Sequence, residues 1–115
     1  MDNRLNDALA FANYRLTLQV QRQNIEARVA SALLFSYQNA IFKATTSLIT
    51  FADYKTRNTD TPMLIDDNSG NTITIDDPAE FLKLASTTYD AAMILKQQEQ
   101  QKLKSARSTG KVVGL

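Results

Sequence analysis

Apolar residues recur at helical intervals near the start of the chain, and this pattern predicts a long amphipathic helix from residue 2 to about residue 31. Its apolar positions form two lines, which we place on neighbouring faces. One line comprises Leu5, Leu9, Ala12 and Leu16, continued by Val20, Ala27 and Leu34, and the other comprises Phe11, Leu18, Ile25 and Ala32. A helix with two apolar lines needs cover on more than one side, from its own chain or from a second copy.

Residues 32–46 fit two interpretations. As a helix, this segment would extend the first element into one continuous rod. As strands, residues 33–37 and 41–45 would flank a turn at residues 38–40. Aromatic and β-branched residues favour strands, whereas the alanines and the absence of glycine favour a helix. We favour the hairpin.

A shorter helix is predicted after this segment. Thr45 or Thr46 would cap its N-terminus. Its expected buried face comprises Leu48, Ile49, Phe51, Ala52 and Tyr54. Residues 55–62 show no periodicity and end in a proline, so they are predicted to form a surface connection.

Residues 63–81 have the pattern of a β-hairpin that leads directly into a helix. Two apolar runs, residues 63–65 and 72–75, flank a turn-forming segment at residues 67–71. The hairpin reverses the chain, and we therefore expect it to set the last helix against the first.

The last helix is predicted to run from Pro78 to about residue 107. Asp77 fits the N-cap, Pro78 the first helical position and Glu80 the acid of a capping box. Its inner apolar stripe comprises Phe81, Leu84, Ala85, Thr88, Ala92 and Leu95. After Leu95 the predicted helix is polar nearly all round. This part of the helix therefore either projects into solvent or packs along a partner with few apolar contacts.

Together these elements predict an α+β protein, mostly helical, in which two long antiparallel helices carry one or two short β-hairpins at their connecting end. The chain is short enough for a single domain, residues 1–115. Residues 108–115 are predicted to form an extended tail. The apolar residues of this tail, Val112, Val113 and Leu115, are candidate partner-binding residues.

The absence of two residue types excludes several kinds of catalytic and metal-binding site. It contains neither cysteine nor histidine, which removes the thiolate nucleophile, the commonest general base and the commonest transition-metal ligand. We therefore expect no enzyme activity, no cofactor and no metal. No apolar run approaches the roughly 18 residues of a membrane span, and the first residues do not resemble a signal peptide. We expect an intracellular protein without a membrane partner.

Four carboxylates around the second hairpin, Asp66, Asp67, Asp76 and Asp77, raise the alternative of a magnesium or calcium site. The segment does not match an EF-hand loop, because Gly70 is fifth from Asp66 instead of sixth and no glutamate follows at the twelfth position. Turn formation, N-capping and the positive end of the helix account for the acids locally. We favour these structural roles, and a metal-dependent enzyme is the third hypothesis.

Charge is segregated along the chain. Residues 53–90 carry eight acids and three bases, whereas residues 91–115 carry five bases and one acid. The candidates for contacts with a nucleic-acid backbone are Lys96, Lys102, Lys104, Arg107 and Lys111. No aromatic residue lies among them, which argues against stacking on single-stranded bases. A solvated helix end is the simpler interpretation.

Several sequence segments follow one another in a characteristic order: FANYRLTLQVQ, FKATTSLITF, LIDDNSGNTITIDDPAEF, a Tyr89-x-x-Ala92 pair and LKSARSTGKVVGL. This order spans almost the whole chain and resembles a group of small proteins of large contractile-tailed phages of the T-even-like type, many of them marine. The chain departs from that pattern at residues 38–40, where the relatives have an Asn-Gly-Gly turn. The resemblance implies a phage origin and the character of a small accessory protein, and it assigns no functional residue.

Two hypotheses of function follow. The first is a phage structural or assembly component, such as a virion adaptor, scaffold or chaperone, that acts by protein–protein helix packing. The alternative is a nucleic-acid-associated accessory protein that uses the basic end of the last helix. The expected partners are further copies of the chain, as a homo-oligomer, and other phage proteins. The expected location is the host cytoplasm or the virion.

Overall fold

The structure is a computed structural model that describes residues 3–112, with side chains for residues 4–105. Within this range, three helices and two antiparallel β-hairpins follow one another. In chain order they are α1 (Asn3–Ala32), β1 (Leu34–Tyr37), β2 (Ala40–Lys43), α2 (Thr46–Arg57), β3 (Met63–Asp66), β4 (Thr72–Ile75) and α3 (Pro78–Val112). The prediction of a mostly helical α+β fold with two long helices is confirmed.

The two long helices, α1 and α3, pack in antiparallel orientation. Arg28 of α1 pairs with Glu99 of α3 at 2.9 Å, while Ile25, earlier on α1, shares a groove with Leu103, later on α3. The molecule measures 75 × 24 × 19 Å, with a radius of gyration of 21.1 Å. A compact chain of this length would have a radius of gyration of about 13 Å. The helices therefore extend beyond the hairpins as a rod.

The segment with two interpretations forms the hairpin that we favoured. In it, β1 pairs with β2 so that Phe35 lies opposite Phe42. The turn contains two residues, Gln38 and Asn39, with φ angles of 49° and 62°. Positive φ at both positions is the signature of a type I′ turn, whose twist matches that of the strands. The predicted three-residue turn is corrected accordingly, because Ala40 belongs to β2 and is buried.

The second hairpin and the helix start agree with the prediction. In the turn between β3 and β4, Asp67 Oδ1 accepts hydrogen bonds from the backbone N–H groups of Ser69 and Asn71, both at 2.9 Å. At the start of α3, Asp77 Oδ1 accepts from the backbone N–H of Glu80 at 3.1 Å. Asp67 thus stabilises the turn and Asp77 caps the N-terminus of the helix, as short polar side chains commonly do.

Of three predictions about α2 and the segment after it, one is confirmed and two are wrong. Thr45 is the N-cap, since the backbone N–H of Leu48 donates to its Oγ1 at 3.1 Å. Tyr54 was expected on the buried face, but 52% of it is exposed. Also, α2 continues to Arg57, so the surface connection starts at residue 58 instead of 55. An Asp53–Arg57 ion pair at 2.6 Å spans these extra residues, and the backbone N–H of Asn58 donates to the carbonyl oxygen of Tyr54 at 3.0 Å to close the helix.

The last helix is longer than predicted. It continues past residue 107 to Val112, so residues 108–112 are helical where an extended tail was predicted. Gly110 lies within this segment; a single glycine lowers helix stability by only about 1 kcal/mol. Val113 and Leu115, the other two candidate partner-binding residues, lie outside the described residues.

The hydrophobic core lies where the hairpins and α2 pack against the first half of α3. Phe81 is fully buried at its centre. The ring centroids of Phe35, Tyr37 and Phe42 lie 5.4, 5.4 and 5.1 Å from that of Phe81. We call this part of the molecule, residues 33–95, the head, and we call residues 4–32 with 96–105 the stalk.

The side-chain amide of Gln38 joins the two hairpins, which are separate two-stranded sheets. Its Nε2 donates to the carbonyl oxygen of Thr74 at 2.9 Å, and its Oε1 accepts from the backbone N–H of Asp76 at 2.9 Å. A backbone hydrogen bond of 2.7 Å from Asn68 N–H to the carbonyl oxygen of Ile41 makes a second link. The turn between β1 and β2 therefore also holds β4 in place through hydrogen bonds.

The hydroxyl of Tyr37 lies beside the start of α3, where it donates to the carbonyl oxygen of Asp77 at 3.4 Å. Burial, together with the negative charges of Glu80 and Asp77, raises the pKa of Tyr37 above its ordinary value of 10.0. The hydroxyl therefore remains a protonated donor at neutral pH.

Candidate functional site

In the stalk, α1 uses one face to contact α3. Ile25 and Val29 are each only 7% exposed on that face. Beside them, Glu99 of α3 is paired with Arg28 at 2.9 Å and with Lys102 at 3.8 Å, and its side chain is 16% exposed. The apolar contact and the flanking charges together hold the two helices side by side.

The opposite face of α1 is apolar but uncovered. We call Leu5, Leu9, Ala12, Leu16 and Val20 the outer stripe. At about 100° per residue these positions lie about 140–180° round the helix from Ile25. The two apolar lines of α1 are therefore on opposite faces, and the prediction of neighbouring faces is wrong.

The large side chains of the outer stripe are strongly exposed. Leu5, Leu9, Leu16 and Val20 have exposed fractions of 59%, 55%, 60% and 45%. A contiguous exposed apolar surface on a protein commonly marks an interaction site. From Leu5 to Leu16 the intervals are four, three and four residues, which is the a/d spacing of a coiled-coil seam. The outer stripe is thus suited to packing against another helix.

A second feature is a groove of about 600 Å³ between α1, β2 and α3. Apolar side chains, among them Ile25, Val29 and Leu103, line its floor. Its charged lining comprises Arg22, Lys43, Lys96, Lys104 and Glu26. We call it the basic groove, since four cations face a single carboxylate.

The basic groove unites only part of the predicted nucleic-acid set. Lys96 and Lys104 line it, whereas Lys102 borders a different surface beside Glu99. Arg107 and Lys111 lie on α3, at positions whose side chains are not described.

The sequence-based reasoning missed Arg22 and Lys43, which complete the groove. They are far from Lys96 in sequence, and no local pattern links the three. Only the packing of α1 and β2 beside α3 brings these cations together.

The four carboxylates of the second hairpin do not converge. Thr72 Oγ1 donates to Asp66 Oδ1 at 2.6 Å, and Asp67 and Asp77 accept the local backbone hydrogen bonds described above. Among the residues whose side chains are described, no group of three or more carboxylates could hold a metal ion. The expectation that the protein is not an enzyme and has no cofactor stays a prediction.

Two further findings bear on function. None of the helices in the described part of the chain is long and apolar enough to cross a membrane. The chain matches no protein-family model, no curated protein and no solved structure. Function is therefore inferred from the outer stripe and the basic groove.

Proposed function

We propose that this protein is a structural or assembly component that works by helix packing, as an adaptor, scaffold or chaperone in a contractile-tailed phage. The exposed outer stripe of α1 is the observation that carries the proposal. Ile25 and Val29 of α1 are covered beside α3, whereas the outer stripe is open to solvent, and so is Phe11 of the other apolar line, at 59% exposure. The sequence resemblance supports the phage setting.

Covering the outer stripe would stabilise a complex. Its four large side chains are 45–60% exposed, and complete burial of such a side chain contributes about 1.5–3 kcal/mol. Burying the exposed half gives roughly 1 kcal/mol each, or about 4 kcal/mol from this helix alone. Association costs at least about 4 kcal/mol. A stable complex thus requires a partner that contributes a matching apolar surface.

The proposal is tested by affinity purification of the tagged protein from phage-infected cells. We expect virion or assembly proteins to be recovered with the natural chain and lost with Leu9→Glu/Leu16→Glu, because two carboxylates in the stripe cannot be desolvated without a partner charge. Ala10→Glu/Thr17→Glu is the matched control: it adds the same charges at the same spacing, one position away, on exposed sites. Recovery of no phage protein, or equal recovery with both variants, would contradict the proposal.

The basic groove favours a second candidate, a nucleic-acid-associated accessory protein. Its four cations could neutralise phosphates, and such binding is strongest at low salt. Fluorescence anisotropy with single- and double-stranded DNA should then show binding that Lys96→Gln/Lys104→Gln weakens and that falls with added salt. Absence of binding at low salt would remove this candidate.

A further inference from the structure

We propose that the occupant of the outer stripe is a second copy of this chain, packed antiparallel, stripe against stripe. The inference rests on the proposed function, in that it assigns a partner to the surface on which that function depends. A two-fold dimer of this kind needs a surface that is complementary to itself.

The chemistry of the outer stripe meets this requirement. All five of its residues are apolar, so two identical stripes meet without like charges. The charged residues of this part of α1, Arg4, Asp7 and Arg15, lie at least about 60° round the helix from the stripe. They can remain in water when the seam closes.

The stripe is also self-complementary in position. In antiparallel overlap of its full length, Leu9 of one copy lies opposite Leu16 of the other, and Leu5 lies opposite Val20. Ala12 then lies next to the two-fold axis, where its small side chain allows the helices to approach closely. Leu9 and Leu16 then meet across the seam as in a coiled coil, while Val20, one position past the a/d register, borders Leu5 at the end of the seam.

The distribution of charge selects the antiparallel orientation. In the head, eight acids oppose four bases, whereas the described side chains of the stalk include seven bases and three acids. The net charges are thus −4 and +4 at opposite ends of the rod. Parallel pairing would place two acidic heads side by side. Antiparallel pairing places the two acidic heads at opposite ends of the dimer, which removes this repulsion and lowers the electrostatic energy.

Sedimentation equilibrium of the full chain tests the dimer. We expect the natural chain to dimerise at micromolar concentrations and Leu9→Glu/Leu16→Glu to raise the dimer dissociation constant at least tenfold. Ala10→Glu/Thr17→Glu should change it by less than about threefold. Circular dichroism should show that all three chains keep a folded head, since no stripe residue belongs to the core of the head as the described residues form it. A monomeric natural chain at about 100 μM, or a dimer that both variants leave intact, would overturn the inference.

Engineered cysteines test the orientation, because the natural chain has no cysteine. Ala12→Cys copies should form an intermolecular disulfide under mild oxidation. Leu5→Cys copies should not, since antiparallel overlap separates the two positions by about 22 Å along the helices, and a disulfide spans less than about 7 Å between Cα atoms. Efficient cross-linking of Leu5→Cys would show parallel pairing and overturn the inference.

The two proposals fail in different ways. If the chain sediments as a monomer but still captures phage proteins through the stripe, the second copy is excluded and the proposed function stands. If it dimerises through the stripe but captures no phage protein, the dimer stands and the proposed function is excluded.

Discussion

Replacing Phe81 with alanine is expected to lower the free energy of unfolding by about 3–5 kcal/mol. Phe81 is fully buried and is in ring contact with Phe35, Tyr37 and Phe42. Alanine removes the apolar surface of the ring and leaves a cavity between both strands of the first hairpin and α3. Urea unfolding followed by near-ultraviolet circular dichroism would measure the loss in the head.

The matched control for this change is Phe11→Ala. Phe11 is 59% exposed in the stalk, so the same substitution removes little buried surface there. We expect a cost below about 1 kcal/mol. Equal effects of the two substitutions would show that Phe81 is not the centre of the core.

Replacing Gln38 with alanine is expected to lower the free energy of unfolding by about 1–2 kcal/mol. The change removes the two hydrogen bonds to the backbone of Thr74 and Asp76. Both glutamine and alanine have a Cβ atom, so the strain of the left-handed backbone at this position, φ 49°, is nearly the same in both chains. The loss of stability therefore measures the contribution of the two hydrogen bonds that join the hairpins.

A substitution at the neighbouring turn residue, Asn39, is the control, because it should not lower the free energy of unfolding. Asn39 also has a left-handed backbone, φ 62°, and glycine adopts that conformation without strain. Asn39→Gly should leave stability unchanged or raise it by up to about 1 kcal/mol. Amide hydrogen exchange at Asp76 should quicken in Gln38→Ala and not in Asn39→Gly. Unchanged exchange in both variants would show that Gln38 does not hold the hairpins together.

The second hairpin and the start of α3 could be predicted because their signals are local. Asp67, Asp77 and Pro78 each act within a few residues of their own position, on a turn or a helix terminus. The first hairpin was harder, since Gln38 and Asn39 are not the glycines that a type I′ turn prefers. Its hydrogen bonds to Thr74 and Asp76 come from a distant part of the chain. No local pattern could have revealed them.

The two candidate sites differ in the same respect: one depends on a local pattern and the other on distant residues. The apolar periodicity of the outer stripe was visible in the sequence, whereas the basic groove was not. Arg22 and Lys43 join Lys96 and Lys104 only because α1 and β2 pack beside α3. Lys102 looked equivalent to its neighbours in sequence, but its helical position turns it toward Glu99.

The sequence by itself determined that α1 is a long helix with two apolar lines, because helical periodicity is a property of consecutive residues. Only the tertiary structure decided which of these residues are covered: Ile25 is buried against α3, whereas Phe11 of the same line and the whole outer stripe are exposed. The first hairpin is tied to the end of α1 by hydrogen bonds from Leu33 N–H to Val29 and from Ala44 N–H to Leu33. This junction sets the rotation of α1 relative to the head. It turns Ile25 toward α3 and leaves the outer stripe exposed.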